Sequence, residues 1–235
     1  MKIGRAAAAA VVLAAAFAIA PKAGRGDLAL TSGSHGQWAY VLRPVAARTA
    51  PSWSAPGVTV VAPTTPEGAT NLVLALSQRY ARNGETWVRI RLAALPNGMT
   101  AWVPREALGD FHLVQTALVV DRARLTISLF RNGRLVFRAP VGVGQPQWPT
   151  PRGQFYVRER LDGFGDPFYG PIAFGTSGRS TQLTDWPGGG YVGTHGTESP
   201  QLIPGRISHG CIRLRNDDIL RLSRMLPLGT PLTIR

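Results

Sequence analysis

The chain has little of several things on which common protein classes depend. It has one cysteine, Cys211, among 235 residues, so it cannot form an internal disulfide. It has two lysines, and its 13 acidic residues face 26 basic ones, which leaves a formal net charge of +13 that is almost all arginine. Beyond Ala6 to Ala20, no apolar run approaches the roughly 20 residues of a membrane-spanning helix. These shortages exclude a disulfide-stapled scaffold, an acidic protein and a protein with several membrane-spanning helices.

The first residues, 1–20, are typical of a secretory signal peptide. Lys2 and Arg5 form a short basic start, and Ala6 to Ala20 is uncharged and apolar. At about 1.5 Å per residue this run is shorter than the roughly 30 Å hydrocarbon core of a bilayer. We therefore expect cleavage, no stable membrane span afterwards, and an exported protein in the periplasm or at the cell wall and extracellular face. Cleavage after Ala20 or after Ala18 stays open, because Pro21 disfavours the first.

The positive charge restricts the choice of partners. Loss of Lys2 and Arg5 with the signal peptide would lower the net charge from +13 to +11. The arginines are scattered, neither clustered on one helix nor interleaved with aromatic side chains, so we expect no nucleic-acid partner. Anionic polymers of a cell envelope are a candidate partner for such a chain, and a merely solvated basic surface is the alternative.

The residues after the signal peptide predict a linker and then a small β domain. Residues 21–36 are small and polar without periodicity, as in a linker. In residues 37–110, short apolar runs alternate with Pro, Gly and Asn, which predicts a β-barrel or sandwich. The runs that carry this prediction are Val58 to Val61, Leu72 to Leu76 and Trp87 to Leu92.

This segment resembles a bacterial SH3-like domain. The resemblance depends on Ala47 to Ser52 and on Trp87 to Ile90, which leads to Ala101 to Pro104. It implies a domain that holds cell-wall material or packs on a catalytic neighbour, and glycan binding stays open. Three tryptophans could line a ligand groove, but a small barrel needs large core side chains, so we expect core positions for Trp53, Trp87 and Trp102.

Residues 113–235 predict a second, mainly β unit. Leu125 to Arg131 and Arg134 to Val141 flank Asn132-Gly133, a pair that favours a type I′ hairpin turn. Further strands are expected at Gly153 to Arg160 and Leu232 to Ile234. A short helix is expected between these two strands, with Asn216 as N-cap and an apolar face that ends before Pro227. The fold class is therefore mainly β, with one helix near the C-terminus.

The chemistry concentrates around Cys211. In an extended segment His209 and Cys211 point to one face, and Gly210 between them leaves room for a substrate carbonyl. The backbone N–H groups of Gly210 and Cys211 could hold a developing oxyanion. A free thiol is only slightly ionised at neutral pH, so a histidine that takes its proton would activate it. Spacing does not decide between His209 and His195 for this task.

Two plainer interpretations of these residues are possible. Cys211 could be an inert core residue, and Cys211, His209 and His195 could bind zinc. Two His-Gly pairs beside the cysteine, with no acidic helper nearby, favour thiol chemistry over both, and we expect no metal and no cofactor. Ser34-His35-Gly36 repeats the tripeptide without a cysteine, so Ser-His-Gly alone is a weak signal.

His195-Gly196-Thr197 with Ser208 to Leu214 closely resembles the catalytic signature of the L,D-transpeptidases, cysteine enzymes of bacterial peptidoglycan. Thr150 to Phe155 and Leu183 to Gly190 are also similar to that family. The resemblance implies a β-sandwich-like catalytic domain with Cys211 as nucleophile and His195 as proton acceptor and donor. It also implies that the Gly196 carbonyl orients His195, that His209 assists the reaction, and that the Gly210 N–H belongs to an oxyanion hole. Arg213 would anchor a substrate carboxylate. The other substrate contacts that it implies are Ser208, Thr197, Asp185 and Trp186.

The same resemblance implies the reaction. Cys211 attacks the carbonyl before the terminal D-Ala of a donor tetrapeptide stem, D-Ala leaves, and an amine of an acceptor stem resolves the thioester into a 3→3 peptidoglycan cross-link. Water as acceptor would make the site an L,D-carboxypeptidase, and attachment of another protein also stays open. Carbapenems are expected to acylate Cys211. A non-catalytic wall-binding protein is the alternative from another class, and it would tolerate Cys211→Ala.

Overall fold

The computed structural model describes residues 26–81, 83–162, 166–183 and 190–235, which form two β-sheets and one α-helix. The mainly β fold class is thereby confirmed. The predicted signal peptide lies outside the described residues. Within those residues, no helix is long and apolar enough to cross a membrane.

The first sheet is antiparallel and has the strand order β4-β3-β7-β6-β5-β2-β8, with β1 also paired to β5. A 3₁₀ turn, Arg105–Ala107, follows β7. Three strands occur where the apolar runs predict them, as β4, β5 and β6, while β1 falls in the predicted linker. The strands are β1 (Leu28–Ala29), β2 (Gly36–Tyr40), β3 (Val45–Arg48), β4 (Gly57–Val61), β5 (Leu72–Tyr80), β6 (Thr86–Arg91), β7 (Thr100–Pro104) and β8 (His112–Val114).

The three tryptophans of the first sheet divide between core and surface. Trp87 and Trp102 are buried, as expected of core residues, whereas Trp53 is 50% exposed. Trp53 packs edge-on against Trp87 at 5.1 Å between ring centroids and donates its indole N–H to Glu85. The core prediction is therefore wrong for Trp53, which covers the core from outside. The SH3-like assignment of this sheet stays a prediction.

The second sheet has the order β11-β10-β9-β18-β13-β14-β15-β17-β12-β16 and mixes antiparallel with parallel pairs. The parallel pairs are β9 with β18, β15 with β17, and β12 with β16. The strands are β9 (Thr116–Asp121), β10 (Thr126–Arg131), β11 (Arg134–Pro140), β12 (Gly142–Gly144), β13 (Gly153–Asp162), β14 (Ile172–Arg179), β15 (Tyr191–His195), β16 (Gly205–Ser208), β17 (Ile212–Arg213) and β18 (Pro231–Ile234).

Local sequence signals explain the hairpin and the helix of this sheet. Asn132 and Gly133 have φ of 50° and 75°, the positive values that a type I′ turn requires, so the hairpin prediction is confirmed. The helix α1 runs over Asn216–Ser223 and buries Ile219 and Leu222 in the core of the second sheet. The N-cap prediction is wrong by one position. Arg215 is the cap, and the Asn216 side chain instead accepts a hydrogen bond from the Thr197 N–H.

The two sheets pack against each other through a small mixed cluster. Tyr156 of β13 is fully buried and donates its hydroxyl to the Leu72 carbonyl of β5 across 3.2 Å. Trp38 of β2 lies so close to Gly229 that a Cβ at Gly229 would sit 1.9 Å from the indole. The second sheet, which carries Cys211 and His195, is therefore packed against the first.

Candidate active site

Two neighbouring parallel strands bring the cysteine and one histidine together. In the pairing of β15 with β17, Thr194 lies opposite Ile212 and His195 opposite Arg213. Because strand side chains alternate, Cys211 and Arg213 share a face with Gly193 and His195. Gly193 leaves the space between them open, since a Cβ there would lie 3.9 Å from both Cys211 Sγ and His195 Cδ2. The Gly193 N–H points at Sγ over 3.4 Å.

His195 is held in one tautomer. Its Nδ1 lies 2.7 Å from the Gly196 carbonyl oxygen, which only accepts, so Nδ1 carries the proton and Nε2 is left as an acceptor. The ring is 2% exposed. Burial, with a smaller contribution from the Arg213 cation, lowers the pKa of His195 to about 4 against the opposing effect of the Gly196 bond. The imidazole is therefore neutral at neutral pH.

Cys211 is also uncharged in this environment. Burial raises the pKa of its thiol, and the Gly193 N–H and the Arg213 charge offset only part of that effect. A neutral thiol beside a neutral imidazole is a resting pair in which the proton leaves sulfur only when the sulfur reacts. A neutral histidine of this kind can accept a proton as a general base, whereas it cannot serve as a standing counter-ion.

The loop before Cys211 is fixed by buried hydrogen bonds. The Ser208 hydroxyl donates to the Cys211 carbonyl over 2.6 Å and accepts from the Gly210 N–H over 3.1 Å. Thr150 accepts from the Gly144 N–H and donates to the Gly210 carbonyl, both over 2.8 Å. Gly210 has φ of 119°, a value that side chains disfavour. The Gly210 N–H, predicted to serve an oxyanion hole, is thus engaged by Ser208 in this structure.

His209 lies apart from the β15–β17 pair. Its ring packs against Trp148 at 4.4 Å between centroids, and it lines the same cleft as Cys211. His195 ends β15, the strand whose Gly193 N–H contacts the Cys211 sulfur. Sequence spacing leaves open which histidine could take the thiol proton, and the geometry favours His195.

Arg213 lies at the floor of the cleft. It is 8% exposed, and its guanidinium carbon is 4.3 Å from the centre of the Phe168 ring. Burial lowers the pKa of Arg213, but a guanidinium stays charged throughout the useful pH range. Phe168 and Tyr169 also contact the His195 ring, with centroids 6.2 and 5.1 Å away. A cation therefore lies near Cys211 and His195, and aromatic rings cover the Arg213 guanidinium and the His195 imidazole.

Phe168 and Tyr169 are site residues that the sequence analysis does not identify. They lie in a 3₁₀ turn, Pro167–Tyr169, whose first N–H groups are capped by Asp166 accepting from the Phe168 N–H over 2.9 Å. The Asp-Pro pair is a turn signal, but nothing in it indicates a turn packed on a histidine. Gly193 and Thr150 are further positions whose local roles only the fold reveals.

The segment after His195 has no room for larger side chains. A Cβ on Gly196 would lie 2.4 Å from Asn216 Oδ1 and 3.0 Å from Gly170 Cα. Thr197 is 1% exposed, and its hydroxyl accepts from the Ser199 N–H over 3.1 Å. In this structure Thr197 therefore shapes the loop from within. Asp185 and Trp186, the remaining predicted contacts, lie outside the described residues.

Zinc binding by Cys211, His209 and His195 is the alternative chemistry for this cleft. Among the described residues, no three His, Cys, Asp or Glu side chains come together as a metal site would need.

Comparisons with known proteins agree on one family. Residues 115–234 match the YkuD family, described as the L,D-transpeptidase catalytic domain. YkuD of Bacillus subtilis, itself assigned to this activity provisionally, is 31% identical over 142 residues, which cover 60% of this chain and 78% of that protein. ErfK/SrfK of Salmonella typhimurium, a probable L,D-transpeptidase by name, is 32% identical over 157 residues, 59% of this chain and 50% of its own.

A solved structure gives a weaker likeness. An Enterococcus faecium L,D-transpeptidase crystal structure is 26% identical, covers 51% of this chain and 49% of that one, and has a TM-score of 0.40. The match again covers about half of this chain.

Proposed function

The chain belongs to the YkuD family of L,D-transpeptidase catalytic domains through residues 115–234, and on that premise we propose that it is an L,D-transpeptidase with Cys211 as nucleophile. The observation that carries the proposal is the β15–β17 pair, which sets Sγ against the Gly193 N–H on the strand that ends in His195. The donor is a tetrapeptide stem of peptidoglycan, and the acceptor is a second stem.

The acylation step uses the neutral resting pair. As Sγ attacks the carbonyl carbon before the terminal D-Ala, the thiol proton passes to His195 Nε2, and the carbonyl oxygen becomes an oxyanion. The imidazolium keeps its Nδ1–H bond to the Gly196 carbonyl. When the intermediate collapses, the C–N bond breaks, His195 returns the proton to the leaving amine of D-Ala, and a thioester on Cys211 remains.

The oxyanion is held by backbone donors of the Cys211 loop. The Gly210 N–H donates to Ser208 at rest, so its service to an oxyanion requires it to exchange this partner for the stronger, charged acceptor. The Cys211 N–H is the second donor, and His209 assists from the Trp148 side of the cleft. Ser208 thus accepts the hydrogen bond of the Gly210 N–H until the negative charge develops on the substrate oxygen.

Arg213 anchors a substrate carboxylate. A guanidinium offers parallel N–H donors that match a carboxylate, and its stacking on Phe168 fixes the plane of that fork. In the second half-reaction an amine of the acceptor stem attacks the thioester, His195 takes its proton, and a 3→3 cross-link forms while the thiol is restored. Water in place of the amine gives the L,D-carboxypeptidase reaction at the same site.

This function places the protein outside the cytoplasm, after removal of the predicted signal peptide. The first sheet, in this proposal, contacts the cell wall or supports the catalytic sheet. A net charge of +11 after cleavage favours anionic wall polymers as additional partners.

The decisive experiment is intact-protein mass spectrometry of the mature protein after incubation with a carbapenem. A stoichiometric adduct on the native chain, absent from Cys211→Ala, is expected, followed by D-Ala release from a donor tetrapeptide. Gly57→Ala, at an open position of the first sheet, is the matched control and should form the adduct normally. A folded native protein that forms no adduct would refute acyl transfer at Cys211 and favour a non-catalytic wall-binding protein.

A further inference from the structure

A second large cavity lies between the two sheets. It has a volume of about 480 Å³, within the roughly 300 to 1,000 Å³ of small-molecule sites. Strand β4 and the segments after it and after β6 form one wall, while Tyr156, Arg158, Arg179 and Tyr191 form the other. The two walls are tied by reciprocal bonds of 2.7 and 2.9 Å between the Asn97 side chain and the Arg179 backbone.

Three arginines line the cavity, Arg91, Arg158 and Arg179. Arg158 is 2% exposed and pairs with Glu67 over 2.8 Å and with Glu159. These two carboxylates together exceed the single charge of Arg158. Among the residues that the structure describes, no acidic side chain lines the cavity itself.

Arg91 is the residue of this lining that indicates a ligand. Its Nη1 donates to the Gly98 carbonyl over 3.0 Å, while its Nε is buried without a hydrogen-bond partner in the described part of the chain. Burial, and after it the Arg89 cation, lower the pKa of Arg91. Burial of the Nε–H group without an acceptor costs free energy, and a bound anion that accepts from this group would recover that cost.

The other walls indicate what carries the anion. The Tyr191 ring lies between two guanidinium groups, with Arg158 at 3.9 Å and Arg179 at 4.8 Å from its centroid. Thr59, on β4, and Thr64, in the segment after β4, also line the cavity. Cations around an aromatic ring, with threonines opposite, suit a small hydroxylated molecule with one acidic group.

We propose that this inter-sheet cavity is a second binding site, which takes a carboxylate or phosphate group on a small hydroxylated carrier, with Arg91 as its anion-binding residue. The site is separate from the catalytic cleft, yet the two share a wall, because Tyr191 lines both. A carboxylated wall sugar and a polyol phosphate of an anionic wall polymer are the two sources of this chemistry. The binding does not require that Cys211 be reactive.

The test is calorimetric titration of the mature Cys211→Ala protein at low salt with three probes. N-acetylmuramic acid carries the carboxylate, glycerol 3-phosphate carries the phosphate, and neutral N-acetylglucosamine carries neither. We expect saturable binding of at least one anionic probe, none of the neutral one, and a loss of roughly tenfold or more in affinity for Arg91→Gln. Arg91→Lys should retain part of the affinity, because it keeps the charge without the planar fork.

Arg89→Gln is the matched control. It removes the same charge from the same strand, but Arg89 is exposed, bonds Thr100 over 3.0 Å and lies outside the cavity lining. Equal losses in Arg89→Gln and Arg91→Gln would mean binding to general surface charge and would overturn the proposal. So would the absence of any anion binding by folded protein, or a loss seen with Arg213→Gln and not with Arg91→Gln, which would place the anion in the catalytic cleft.

Discussion

Replacement of Thr150 by valine tests whether one buried hydroxyl sets the position of the catalytic loop. Thr150 is 1% exposed, accepts from the Gly144 N–H and donates to the Gly210 carbonyl. Valine has nearly the same shape, so the change leaves two backbone groups unsatisfied without opening a cavity. At about 1 to 3 kcal/mol for each group, we expect the free energy of unfolding to fall by about 2 to 6 kcal/mol.

The expected loss is a large share of the roughly 5 to 15 kcal/mol that stabilises a typical domain. Urea unfolding followed by tryptophan fluorescence measures it. The second expectation is kinetic. Because the Gly210 carbonyl is released next to Cys211, the loop donors lose their alignment, and D-Ala release from a donor tetrapeptide should slow by roughly tenfold or more, the scale of a lost oxyanion-hole donor.

A matched variant separates stability from alignment. Thr230, directly before β18, is also fully buried, and its hydroxyl likewise makes two bonds, to the Pro227 carbonyl and to Thr116, both over 2.7 Å. Thr230→Val should lower the unfolding free energy similarly while the folded protein keeps its rate of D-Ala release. The reasoning on this loop is wrong if both variants lose the same activity. It is also wrong if Thr150→Val has the same urea midpoint of unfolding as the native protein.

Three further predictions follow from the geometry. Gly196→Ala should abolish D-Ala release, because its Cβ would lie 2.4 Å from Asn216 Oδ1 and displace the carbonyl that orients His195; retained activity would contradict that role. Because the pKa of His195 falls from about 6.5 unfolded to about 4 folded, the unfolded chain binds more protons between these values. The unfolding free energy should therefore drop by about 3 kcal/mol as pH falls through that window, and denaturant titrations of His195→Gln should lack this component. Gly229→Ala should lower the melting temperature far more than Gly84→Ala; both have positive φ, 76° and 85°, but only Gly229 also faces Trp38, and equal shifts would show that backbone strain alone matters.

The sequence could predict those parts of the fold whose causes are local. The Asn132-Gly133 hairpin and strands β4, β5 and β6 follow from turn chemistry and from short apolar runs, and the structure has them. The helix was predictable from its apolar face, but its cap was not. Asn216 was the expected N-cap by residue type, whereas a tertiary demand, the Thr197 N–H, takes its side chain instead.

The candidate site divides along the same line. Cys211 and His195 could be named from the sequence, because their residue types and the motifs around them indicate thiol chemistry. Residues that act by being small or by packing do not, because their role exists only where two distant strands meet. Gly193 matters because its missing side chain leaves the space between Sγ and the imidazole open, and Phe168 matters because its ring packs on the Arg213 guanidinium.

Burial of the thiol fits a lone cysteine in a protein that we propose to be exported. A standing thiolate outside the cytoplasm would be exposed to oxidation to sulfenic acid or to mixed disulfides, since thiolate and not thiol is the reactive form. Here burial raises the pKa of Cys211 and also keeps His195 neutral, so neither partner is charged at rest. The Gly196 carbonyl nonetheless holds Nδ1–H and leaves Nε2 free to accept a proton, which is the tautomer that the proposed mechanism requires. In that proposal, the desolvation that keeps the sulfur inert toward small oxidants leaves its activation to a substrate whose carbonyl provides the charge that the loop donors can hold.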